Sequence, residues 1–373
     1  MPIAPQPIAP TQRLAFLDPL RVALTTLVIA HHTSITYGGS GDWYYKEAGS
    51  PEWLRLLLSV FTASNQSFFM GFFFLLAGYF TPPSLAHKGL SRFVRERLWR
   101  LGMPLLLFAL LLSPLTRALA AATRGEAPFL AALAARWPPT VFDAGPLWFC
   151  IALLLFTAGW IAVSRLPGAV QRPSINPHYA IALAVLGCGA LAFALRVWVP
   201  VGRNVFSLQL GYFASYLLLF YGGCALAGTR ALESVEWRHA RPWAITAVLV
   251  FPTLWIYAAL GGAFDGDAWR GGANLPALAY ALWEPVIAAG VILASLAAFR
   301  STMAKPAPRW RRLADDAFTA FVIHPPVVVA CSALVRHVVD TPLLRFLLAA
   351  PLACLLAFAL ADAWRGLLSS RPS

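Results

Sequence analysis

Arg21 and His32, eleven residues apart, are the first pairing in this 373-residue sequence whose types and spacing could do chemistry. On a helix at 100° per residue that interval is about three turns plus 20°, so the two share one face about 16 Å apart. His31 points roughly 80° away from Arg21. A guanidinium at one end of such a stripe can anchor an anionic group. An imidazole at the other end titrates near neutral pH and can carry a proton. The pair therefore suits a long substrate, anchored at an anionic end and reactive at the other. The plainer alternative is that Arg21 snorkels to an interface and His32 satisfies a neighbouring carbonyl.

Three further places carry comparable weight. In Phe93-Val94-Arg95-Glu96-Arg97-Leu98-Trp99-Arg100-Leu101-Gly102-Met103-Pro104, Arg97 and Arg100 stand at i, i+3 and would share a helix face. Arginine forks suit phosphate oxygens, and all but Lys46, Lys88 and Lys305 of the 29 basic residues are Arg, so plain charge anchoring competes with phosphate binding. Glu284, in Ala281-Leu282-Trp283-Glu284-Pro285, is a carboxylate inside an apolar run; it can orient an imidazole, pair with an Arg or stay protonated. His324 precedes Pro325 and Pro326, which free upstream carbonyls that the imidazole can satisfy. No H-E-x-x-H, Gly-rich phosphate loop or G-x-S-x-G elbow occurs, so metalloprotease, nucleoside-triphosphatase and serine-hydrolase chemistry have no motif.

The elements that must position these residues are membrane helices. The chain is 59% hydrophobic and only 12% charged, with a mean hydropathy of +0.66. A soluble domain carries about 25% charged residues. Apolar runs of bilayer length recur, and the expected spans are 17–38, 56–80, 101–121, 146–164, 179–199, 207–228, 243–262, 275–299, 316–336 and 343–364. The fold class is all-α, a polytopic bundle of about ten helices in one domain over 1–373, with tails at 1–16 and 365–373. Gly71 and Gly78, in a Phe-rich second span, permit close helix approach. Cys150, Cys188, Cys224, Cys331 and Cys354 read as small hydrophobes, with neither disulfide nor metal spacing.

The net charge of +13 is mostly topology. With the N-terminus inside, the inner segments hold Arg13, Arg21, Lys88, Arg92, Arg95, Arg97, Arg100, Arg165, Arg172, Arg230, Arg238, Arg241, Arg300, Lys305, Arg309, Arg311, Arg312, Arg365 and Arg371, a clear majority of the cations. Asp42, Glu47, Glu52, Glu126, Asp143, Asp265, Asp267 and Asp340 fall in the outer segments. Both termini are expected in the cytoplasm, with no cleaved signal peptide.

Several of these segments together resemble the acyltransferase family 3 membrane proteins. Leu17-Asp18-Pro19-Leu20-Arg21 leading to His32 matches that family's Arg-x10-His signature on its first helix. Ala77-Gly78-Tyr79-Phe80 stands where the family more often has Ser-Gly-Tyr or Ser-Gly-Phe. Arg97-Leu98-Trp99-Arg100 with Pro104 matches its Arg-x-x-Arg run, and Leu147-Trp148-Phe149 its Leu-Trp-Phe motif. Phe321-Val322-Ile323-His324 stands where Tyr-Leu-Ile-His is usual. The order covers nearly the whole chain. The run His32-Thr33-Ser34-Ile35-Thr36-Tyr37 looks closest to the branch that contains the osmoregulated glucan succinyl-transfer protein.

What the resemblance implies is an acyltransferase moving groups other than aminoacyl groups. An acetyl, succinyl or similar group would pass from cytoplasmic acyl-coenzyme A to a hydroxyl of a glycan or other small acceptor. The setting would be a multi-pass protein of the bacterial inner membrane. Arg21, Arg97 and Arg100 would bind the phosphates of coenzyme A, and His32 would act as general base or form an acyl-imidazole. Glu284 is a candidate partner for the imidazolium; His324 and Trp148 are further candidates for the site. Neither metal nor nucleic acid is expected. A proton-coupled exporter of a glycan or small molecule is the alternative, and a non-catalytic partner in a glycan assembly complex is a third reading.

Overall fold

The computed structural model describes residues 14–165, 176–261, 267–305 and 307–369. Arg13, Arg172, Asp265, Arg371, most of the expected N-terminal tail and the last four residues of the expected C-terminal tail lie outside the described residues. All ten expected spans contain a helix, numbered here α1 to α10. They are α1 Leu17–Thr36, α2 Glu52–Lys88, α3 Leu90–Thr123, α4 Gly145–Val163 and α5 Pro177–Trp198. The rest are α6 Leu210–Leu226, α7 Trp237–Gly261, α8 Leu275–Thr302, α9 Pro308–Val335 and α10 Pro342–Ser369. Among the described residues there is no strand.

Eight of these helices are long and apolar enough to cross a bilayer, and the two that fall short are α1 and α6. For α1 the reason is its position. It packs against α2, α9 and α10, and most of its residues are buried, among them Asp18, Thr25, His31, Thr33, Ser34 and Thr36. A helix wrapped by protein can carry polar side chains that lipid would not tolerate. By contrast α5, α7 and α10 turn most of their apolar residues outward, as lipid-facing helices do.

α6 is short and held tightly against α2. Gly78 and Gly223 face each other across that contact, and a Cβ on Gly78 would fall inside the van der Waals radius of the Phe220 carbonyl. A Cβ on Gly223 would meet the Leu75 carbonyl and, at 2.8 Å, the Tyr79 backbone nitrogen. Gly71 meets the Leu219 side chain from the same helix. Small residues that let backbones touch replace the hydrophobic driving force that is missing between helices in lipid.

α3 is continuous but not uniform. Its stretches Leu98–Gly102 and Phe108–Leu112 are π-helical, with Pro104 and Pro114 just beyond each. The wider turn re-aims the side chains that follow it, a feature that recurs at functional sites. It begins just after Arg97.

The α2–α6 contact makes a simple stability test. Gly78→Ala should destabilise the protein by about 1–3 kcal/mol, the range for forced overpacking, read as a lower apparent melting temperature in detergent. Gly222→Ala, where an added Cβ meets nothing within 4 Å, should leave the midpoint unchanged or raise it. Equal behaviour of the two variants would contradict the backbone contact.

Candidate functional site

A proline on α9 sets the site. Pro325 has no N–H to give to the carbonyl four residues earlier, that of Phe321. The His324 imidazole takes the place of the missing donor: its Nδ1 bonds Phe321 O. A carbonyl only accepts, so Nδ1 carries the proton and, in the neutral ring, Nε2 is a lone pair. That lone pair lies 2.9 Å from Nδ1 of His32. His32 must therefore donate from Nδ1, which leaves its own Nε2 as an unprotonated nitrogen. Both rings are buried or nearly so, and among the described residues no carboxylate bonds either one.

Trp43, from the α1–α2 loop, covers the pair. Its ring is parallel to His32 at 4.1 Å between centroids and 9°, and lies 5.8 Å from His324 at 14°. An indole face over an imidazole favours a positive charge appearing on that ring. His31 lies edge-on to His32 at 5.4 Å and packs against Phe69 of α2 at 4.9 Å.

Both α1 histidines line a cavity of about 1800 Å³, bounded by the loops after α1, α3, α5 and α7. These four connections lie on one face of the bundle, opposite the start of α1. The cavity floor beneath the histidines is Val28, Phe69, Met70 and Phe321. Trp148 stands in its wall, stacked on Tyr216 at 5.4 Å, and Gln66 fixes that tyrosine by donating from Nε2 to its hydroxyl at 2.7 Å.

The mouth of the cavity is braced by Asp143. Its carboxylate accepts from Ser113 Oγ at 2.6 Å, Arg117 Nε at 3.0 Å and Nη2 at 2.8 Å, Tyr44 OH at 3.2 Å, and the Gly145 N–H at 2.9 Å. Burial opposes its ionisation. The Ser113 and Arg117 hydrogen bonds, the Arg117 charge and the Gly145 N–H outweigh burial, and hold the carboxyl below its usual range. Burial and the Asp143 charge push the Tyr44 phenol up.

The other expected site residues lie elsewhere. Arg21 is at the opposite end of α1, 3.9 Å from Asp18 and over the Phe80 ring at 5.6 Å. Arg97 donates to Thr81 Oγ1 at 2.7 Å and lies over Phe93 at 5.2 Å. The structure thus brings Arg21 and Arg97 to consecutive residues of α2. The π turn begins between the two: Arg97, just before it, is half-buried, and Arg100, within it, is exposed. None of the three lines the cavity. Glu284 pairs with Arg196 of α5, not with a histidine. Arg196 is 1% exposed, donates from Nε to Gly211 O at 2.9 Å, and is faced by the rings of Tyr280 and Tyr212.

Trp43, Asp143 and Arg196 escaped the sequence reading. Arg196 had a signal, as an arginine inside the expected fifth span that requires a counter-ion. Trp43 and Asp143 sit in loops, where residue type alone does not mark a partner.

Comparison with known proteins decides the family. The profile described as Acyltransferase domain matches residues 14–362. The chain belongs to the acyltransferase 3 family. Its curated relatives include glucans biosynthesis protein C of Escherichia coli strain K12, 30% identical over 281 residues, covering 70% of this chain and 69% of the relative. The protein of that name in Escherichia coli O9:H4 strain HS is 29% identical over the same length. No solved structure matches the chain. It is a multi-pass membrane protein that transfers acyl groups.

The Asp143 brace gives a signed pH dependence. A carboxyl whose folded pKa is lowered contributes stability above its unfolded value, about 3.9, and loses it as pH falls through the lower folded value. Asp143→Asn should cost about 1–2 kcal/mol at pH 7, a modest figure because Arg117 is half-exposed. The gap between variant and wild-type melting temperatures should close as pH drops below about 4. A gap that persists at low pH would contradict the ionised brace.

Proposed function

We propose that this protein is a membrane O-acyltransferase of the bacterial inner membrane, with both termini cytoplasmic, in one domain over 1–373. It carries an acetyl, succinyl or similar group from acyl-coenzyme A to a hydroxyl of a glycan. The observation that carries this reading is the open Nε2 of His32, aimed at a cavity and held unprotonated by the His324 and Phe321 relay.

The acceptor hydroxyl gives its proton to His32 Nε2 as its oxygen attacks the thioester carbonyl carbon. The new C–O bond forms, the C–S bond breaks, and the thiolate leaves with the proton returned by His32. His324 holds the ring in its tautomer, and Trp43 stabilises the imidazolium while it lasts. The cavity exceeds what one acyl group and one hydroxyl fill, and its Trp and Tyr walls suit a glycan chain.

Arg21 and Arg97, on the opposite face, are suited to the phosphates of coenzyme A. Arg100, exposed beside them, is placed to meet the phosphates first. The donor arm then reaches His32 only when the floor at Val28 and Met70 parts, so the two substrates enter from opposite faces and meet at the histidines. Positive-inside charge supports this orientation, as does the naming of relatives for glucan biosynthesis. No observation favours the exporter.

Purified protein given acetyl- or succinyl-coenzyme A and gluco-oligosaccharide should release free coenzyme A. His32→Ala should lower that rate by about 10²–10⁴-fold, and His324→Ala by less. Arg97→Ala should raise the KM for acyl-coenzyme A about tenfold, the loss of a charge-assisted contact, with kcat little changed. Unchanged turnover in His32→Ala would refute the reading.

A further inference from the structure

The mechanism above leaves the negative charge that gathers on the thioester oxygen without a donor, and leaves one buried imidazole without a task. We propose that His31 is that donor: a neutral imidazole that hydrogen-bonds the oxyanion through Nε2–H. The inference rests on the acyl-transfer reading.

His31 is 6% exposed and lines the cavity beside His32. Its Nδ1 is buried and, among the described residues, has no hydrogen-bond partner. Its Nε2 is not among the buried, unsatisfied atoms, and no group among the described residues bonds it, so it opens to the cavity. A neutral imidazole has one proton to place. On Nδ1 it would be a buried donor with nothing to bond, the costlier kind of orphan. On Nε2 it meets the cavity and whatever the cavity holds. The partnerless nitrogen therefore keeps the lone pair, and the accessible one keeps the proton.

Two adjacent residues of α1 then present opposite characters to one cavity. His32 offers an acceptor because its proton is committed to His324. His31 offers a donor because its buried nitrogen has no use for one. Their rings are 5.4 Å apart and perpendicular, at 87°. Two hydrogen bonds of about 3 Å, one to the attacking hydroxyl and one to the carbonyl oxygen, meet on a single tetrahedral centre across such a gap. Phe69, 4.9 Å from His31, fixes that ring from the α2 side. As charge moves from the attacking hydroxyl to the carbonyl oxygen, the His31 bond shortens without proton transfer. The charge collapses back as the C–S bond breaks. A neutral imidazole acting as electrophile is an established device, and one such donor accounts for about 10²–10³ in kcat.

The test compares His31→Gln, which keeps an N–H donor without basicity, with His31→Met, which keeps similar bulk without a donor. Both are measured beside wild type and His32→Ala by coenzyme A release from acetyl-coenzyme A with gluco-oligosaccharide, and by melting temperature. The expected result is a kcat loss of about 10²–10³-fold in His31→Met, a KM within a few-fold of wild type, and substantial recovery in His31→Gln. Wild-type turnover in His31→Met, or a folded His31→Gln as slow as His31→Met, would overturn the donor role while a dead His32→Ala leaves the acyl-transfer reading standing. Active His32→Ala would sink that reading instead.

Discussion

The carbonyl of Phe321 is the constraint on which the site depends. In an unbroken helix it would accept from the N–H of residue 325, but that residue is proline and has no hydrogen to give. An unpaired carbonyl inside a membrane bundle costs free energy of the order of a lost hydrogen bond. His324 supplies the bond, and in doing so loses its freedom of tautomer. That single assignment passes to His32 across a 2.9 Å contact and emerges as a lone pair at the cavity. A backbone defect on α9 therefore dictates which nitrogen of a side chain on α1 is basic.

The surrounding bundle keeps this relay in register. α1 carries polar residues through the membrane only because α2, α9 and α10 enclose it, and α2 is itself pinned to α6 at Gly78 and Gly223. Two carboxylates that enter the interior are paired close by: Glu284 with Arg196, and Asp316 of α9 with Arg365 at 2.7 Å. The His32–His324 pair differs from these carboxylates. It is joined to a carbonyl and to itself, and among the described residues no carboxylate bonds it. The loops after α1 and α3 complete the enclosure, Trp43 from above and Asp143 from the side.

The legible part of this protein was its periodicity and its local chemistry. Ten apolar runs were readable because bilayer thickness sets their length. The Arg-x10-His stripe was readable because helical pitch is fixed, and the effect of Pro325 on an upstream carbonyl because proline lacks a donor. Pairing across the bundle was not readable. Nothing in the spacing says that His324 meets His32 or that Glu284 meets Arg196, since those contacts depend on which helices become neighbours. The local geometry of Arg97 and Arg100 was not readable either. The i, i+3 spacing presumes a regular helix, and a π turn at Leu98–Gly102 begins between them, with Arg97 half-buried and Arg100 exposed. Asp143 was sorted as an outer acid by topology, and its work as a brace appears only when Ser113, Arg117 and Gly145 converge on it.

Nitrogen-15 NMR of the histidine-labelled protein in detergent or nanodiscs, with His32 and His324 assigned by single substitutions, tests the relay most directly. The account predicts that both rings are neutral at pH 7 with the proton on Nδ1, and that removing His324 releases His32 to a mixture of tautomers. A His32 that carries its proton on Nε2 in the intact protein would contradict it.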